Sequence, residues 1–108
     1  MLKKLQKEAA EWTQNNFGVH PAWHPLLGIQ EEVGELSHAH LKSEQGIRGS
    51  SDEHRSEKID AIGDIVIYLA DYCTQESINL EQAVLTTWYK VKQRDWNKDK
   101  EHGGDVVL

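Results

Sequence analysis

The chain has 108 residues, with 18 acidic against 12 basic side chains, a formal net charge of −6, 38% hydrophobic residues and a single cysteine. That length and composition fit one soluble domain, and the acidic balance argues against a nucleic acid polymer as partner, since polyanions are met by basic surfaces. The lone Cys73 excludes an intrachain disulfide, and no run approaches the ~18 apolar residues of a membrane span, so the expectation is a cytoplasmic protein with a reduced, buried thiol and no membrane partner.

The opening MLKKLQKEAAEW has no continuous apolar stretch and does not read as a signal peptide. It predicts a first helix over about Leu2 to Phe17, with Leu2, Leu5, Ala9 and Trp12 on one face, ended by Gly18. The linker VHPAWHP follows, and Pro25 suits the first turn of the next helix. That second helix would bury Leu26, Ile29, Val33 and Leu36 and stop near Gly46.

Ser50 followed by Glu53 is a capping-box pattern that starts a third helix, apolar almost all round through IDAIGDIVIYLADYC. Asn79 can cap a fourth, whose stripe is Leu80, Val84, Trp88 and Val91 and whose end, KVKQRDWNKDK, is the one dense basic patch. No strand alternation competes, so the predicted fold is all-α, a four-helix bundle over residues 1–100 with a flexible tail over 101–108. Helix three has no broad polar face, and one chain supplies too few helices to cover it. A homodimer or a dimer of dimers is therefore expected.

The chemistry-bearing residues lie on helices two and three. Glu31, Glu32 and Glu35 stand without a basic neighbour, and Asp60, Asp64 and Asp71 fall within roughly 40° of one another on a helical wheel. Like charges one turn apart repel, so two such stripes on consecutive helices call for a counter-charge, and a divalent cation is its simplest source. On the wheel Glu32 and Glu35 are the pair aimed between helices, while Glu31 points away, which suits either a solvated side chain or a base beside the ion. Asp60 and Asp64 answer from helix three, where Gly63 would let a ligand or partner helix approach. Asp71 reads as an ordinary wet face. Oxygen ligands of this kind suit Mg²⁺ or Mn²⁺ rather than zinc, and the six histidines show no zinc-site spacing. No phosphate-binding glycine loop is present.

At these residues the chain resembles the MazG-like all-α nucleoside triphosphate pyrophosphohydrolases. The family's EExxE stands here as Glu31, Glu32 and Glu35 in GIQEEVGEL; its second motif, ExxD, stands as AIGD, with Asp64 in place and Ala61 where glutamate is usual, so that Asp60 or Glu57 would supply the missing oxygen. Lys90, Val91 and Arg94 are similar to a KLxxR segment, and FGVHP is similar to the region before the first motif in deoxycytidine triphosphatase-type members. The resemblance implies Mg²⁺-dependent hydrolysis of a nucleoside triphosphate to the monophosphate and pyrophosphate. It assigns the metal to Glu32, Glu35, Asp60 and Asp64, the general base to Glu31, the phosphates to Lys90 and Arg94, and the base to His20 and Trp23, with Trp12 as a further stacking residue. Two alternatives share the fold: a non-catalytic helical module that binds a nucleotide or a protein, and a phosphoribosyl-ATP pyrophosphatase.

Overall fold

A computed structural model describes residues 1–104. These form four helices, α1 (Leu2–Phe17), α2 (Trp23–Gln45), α3 (Ser51–Gln75) and α4 (Leu80–Val91), with no strand among the described residues. None of the helices is long and apolar enough to cross a membrane. Of the tail, residues 101–104 form turns, and the remainder of the expected flexible segment, 105–108, lies outside the described residues.

The helix ends follow local chemistry. Gly46 closes α2 in the left-handed region at φ 68°, where a side chain would be strained, and the Ile47 N–H reaches back to the Lys42 carbonyl at 3.2 Å. The Ser50 hydroxyl caps α3 by accepting from the Glu53 N–H at 3.1 Å, and Asn79 caps α4 by accepting from the Gln82 N–H at 3.0 Å. Gln6 fastens α1 to the α3–α4 turn, donating to the Ile78 carbonyl at 2.8 Å and accepting from the Leu80 N–H at 2.9 Å.

Small residues decide the packing. Ala39, Ala61 and Ala70 are each 2% exposed or less, and α2 and α3 run against each other along much of their length. At Gly28 the approach is closest: a Cβ there would stand 2.5 Å from the Tyr68 ring. Helix α1 packs on α3 but no Cα of α1 comes within 8 Å of α2, and α4 touches only α1 and α3. The buried apolar cluster is correspondingly small, Ala9, Ala70, Cys73 and Leu80.

Several residues expected in the core are not covered. Leu26 and Val33 on α2, Trp12 on α1, and Val84, Trp88 and Val91 on α4 are all exposed, because no other element among the described residues lies over those faces. The radius of gyration is 17.5 Å, against roughly 13 Å for a compact domain of this size. The accessible surface is 8390 Å², whereas a compact monomer of 12.4 kDa would show roughly 6,100 Å². Gly63, expected to receive a close neighbour, has nothing within 4 Å.

Candidate functional site

Because α1 and α2 share α3 as a platform without meeting each other, a cleft remains between them. Its volume is about 820 Å³, within the range of small-molecule sites. Trp12, Phe17, Ile67 and Tyr68 supply aromatic and apolar walls, and Glu8, Glu32, Asp64 and Asp71 supply carboxyl groups; among the described residues no lysine or arginine lines it.

Glu32 is the acidic focus. It is 8% exposed, and its Oε2 is buried with no hydrogen-bond partner. Glu31, Glu32 and Glu35 each present a carboxylate oxygen within 4.8 Å of the others, so the third glutamate, which the wheel turned away, joins the pair. Burial first, then the charge and hydrogen bond of Glu35 and the charges of Asp64 and Glu31, push the Glu32 carboxyl above the usual range. Tyr68 feels the same field. Burial, followed by the charges of Glu32, Glu31, Asp64 and Glu35, raises its phenol.

The sequence-derived residues separate into two sets. Glu32 and Asp64 line the cavity together with His20, and Glu31 and Glu35 cluster with Glu32 without being part of the lining. Asp60 is exposed and belongs neither to the carboxylate cluster nor to the cavity lining. Glu57 does not replace it, since its carboxylate lies 3.6 Å from His54 Nδ1. Ala61 is 2% exposed, so a glutamate at that position would have to be buried. Trp23 is 57% exposed and packs edge-on to His24 at 4.2 Å rather than lining the cleft, where Trp12 stands instead. Lys90 and Arg94 follow from α4, which makes no contact with α2 and contributes nothing to the lining.

His20 has a different part from hydrogen-bonding a nucleobase. Its Nδ1 donates to the Gly18 carbonyl at 2.8 Å and its Nε2 faces both oxygens of Asp71 at 2.9 and 2.8 Å, which leaves neither nitrogen for a ligand. Asp71, read from sequence as solvated, is 7% exposed and also accepts from Gln75 at 3.2 Å. Tyr68 and Asp71 are the residues that sequence reasoning passed over. A tyrosine in an apolar run reads as core, and its one signal was Gly28 on the facing helix.

Among these elements Cys73 is buried and its thiol is raised by that burial, as fits an inert side chain. No family model, no curated protein and no solved structure matches this chain.

Proposed function

We propose that the protein is a Mg²⁺-dependent nucleoside triphosphate pyrophosphohydrolase, cleaving an NTP or dNTP to the monophosphate and pyrophosphate at the cleft between α1 and α2. The observation that carries the reading is the unpartnered Glu32 oxygen, buried beside Glu31 and Glu35 at an aromatic cavity of about 820 Å³. A buried carboxylate oxygen without a donor costs about 1–3 kcal/mol, and a hard cation is the partner that three further carboxylates would tolerate.

The donor set fits such an ion. Glu32, Glu35 and Asp64 would hold Mg²⁺ or Mn²⁺, which when bound supplies charge neutralisation for the triphosphate and acidifies a coordinated water. Glu31, on the exposed edge of the cluster, is placed to take a proton from water as general base. Trp12, Phe17 and Tyr68 offer flat faces on which a nucleobase can stack. With Asp60 outside the cluster and Ala61 buried, two glutamates and one aspartate are the oxygen donors this reading uses, with Glu31 kept as the base.

A homodimer or dimer of dimers belongs to the same proposal. The surface in excess of a compact monomer, roughly 2,300 Å² per chain, is of the order that obligate homodimers bury. Among the described residues the cleft lining carries no lysine or arginine for the phosphates, so Lys90 on α4 and Arg94 just beyond it would have to be delivered by another copy.

The test is incubation with a panel of standard and modified nucleoside triphosphates, and with phosphoribosyl-ATP, with Mg²⁺ present and pyrophosphate detected. Release from at least one of the nucleoside triphosphates is expected, lost with EDTA and lost in Asp64→Asn while far-UV helicity is unchanged. Flat traces across the whole panel would favour a non-catalytic binding module, and activity confined to phosphoribosyl-ATP would change the substrate.

A further inference from the structure

The linker between α1 and α2, through Val19 and His20, and the start of α2, through His24 and Pro25, form one wall of the cleft, and α3 forms another through Ile67, Tyr68 and Asp71. What joins these two walls is the His20 side chain. Its ring touches the end of α1 through the Gly18 carbonyl, two residues back, and reaches Asp71 fifty-one residues ahead.

Each of those partners is an acceptor. A carbonyl oxygen and a carboxylate can only receive, so both ring nitrogens must carry protons for both bonds to exist, and that is the imidazolium. A neutral ring has one N–H. It would leave a nitrogen lone pair facing an oxygen at 2.8 or 2.9 Å, and at Nε2 the donor at hand is the Gln75 amide at 3.3 Å, so the contact to Gly18 or the one to Asp71 would have to open, the latter in exchange for that amide. The side chains of His20 and Asp71 are only 9% and 10% exposed, so water has little access to replace the missing donor.

We infer that His20 and Asp71 form a proton-operated clasp that holds the 18–22 linker against α3 and thereby closes one side of the cleft. They act as positioning residues: neither needs to touch a ligand for the wall to move. The groups that face the ring are the Gly18 carbonyl at the end of α1, Asp71 and Gln75 on α3, and His24 on α2, whose ring is stacked on it at 6.3 Å. Around the cleft the remaining titratable groups are Glu8, Glu32, Asp64 and Tyr68. Consistent with the geometry, the Gly18 hydrogen bond first and that to Asp71 second raise His20 above its ordinary 6.5. The sign follows. A histidine raised in the folded state contributes its full stabilisation below its unfolded pKa and loses it as pH climbs through the folded one.

The inference stands apart from catalysis and is read without turnover. In the full-length chain, ¹⁵N signals of the imidazoles give the titration of His20 separately from His24, and the neutral dye N-phenyl-1-naphthylamine reports on the apolar cleft. The expected result is a His20 midpoint above 6.5, with dye affinity falling about fivefold across the same interval as the closed fraction shrinks. Asp71→Asn should move both midpoints to lower pH together. His20→Gln, which cannot gain a proton, should bind the dye with an affinity that is flat over that interval. Dye binding that is flat between about pH 6 and about pH 9 in the native protein would overturn the inference. So would a dye midpoint that stays in place while the His20 midpoint moves. If Asp71→Asn does not fold, coincidence of the two midpoints in the native protein together with the His20→Gln result decides. Loss of pyrophosphate release with the clasp behaviour intact would remove the proposed enzyme activity and leave this inference standing.

Discussion

Helix α4 is richer in apolar residues than the α2–α3 hairpin, yet it is the less covered of the two. In the hairpin, alanines at 39, 61 and 70 allow two backbones to come close, and the interface closes over side chains almost free of solvent. In α4 only Leu80 is buried, and Val84, Leu85, Trp88 and Tyr89 are each 45% exposed or more. The contact between α2 and α3 is completed within one chain, although residues on their outer faces, Leu26, Val33, Ile59 and Ile62 among them, stay exposed. The second region is apolar enough to be a core and is left uncovered by the described residues, so the same hydrophobic driving force that completes the hairpin remains unspent along α4.

The largest effect should come from charging the unfinished region. Leu85→Glu is expected to convert an oligomer into monomers at micromolar concentration in sedimentation, a shift of roughly 10²-fold or more in dissociation constant, since a carboxylate cannot be buried unpaired. If the native protein already sediments as a monomer, the contrast between the two regions has been misread. Overfilling the completed contact comes next. Ala39→Leu should cost about 1–3 kcal/mol in urea unfolding, because a side chain 1% exposed has no space to grow into.

A third experiment sharpens the contrast within the hairpin, at its acidic end. The Glu32 carboxyl is raised in the folded state, so its contribution favours folding below the unfolded value of 4.5 and turns into a penalty as pH rises through the folded one. In metal-free buffer at neutral pH Glu32→Gln should therefore melt higher than the native chain. Added Mg²⁺ should raise the melting temperature of the native protein and leave the variant unmoved. Equal responses to Mg²⁺ would detach the ion from this residue. Smallest are the caps that start the two regions: Ser50→Ala and Asn79→Ala should each cost about 1 kcal/mol by thermal melting, and a cost near zero for Asn79 alone would mean that oligomer contacts, not its own cap, hold α4 in shape.

Which parts were readable beforehand follows from how far each interaction reaches along the chain. The ends at Gly18, Gly46, Ser50 and Asn79 depend on atoms a few residues away, and all four stand where the sequence placed them. The spacing of Glu31, Glu32 and Glu35 likewise carried their clustering, although the wheel turned Glu31 outward when its oxygen in fact lies with the others. Periodicity showed that Val33 and Trp88 belong to apolar stripes, but it carries no information about what covers a stripe, and in the single chain they are exposed. Asp71 looked solvated because its partner is distant in sequence, and Tyr68 looked like filler because its position depends on an absent side chain across the interface. Asp60 and Asp64 share a helix face by count, yet only Asp64 reaches the cleft; where the neighbouring helix ends up, not the wheel, separates them.

The missing methyl at Gly28 has a consequence of its own. The phenol ring opposite rests where a Cβ would stand, at 2.5 Å, and the same ring faces the cleft. Any larger residue at 28 would displace that ring, and with it part of the chamber wall, from a position that does not itself line the cleft. Position 28 thus serves as a gauge: one hydrogen in place of a carbon sets the bore into which a guest must fit.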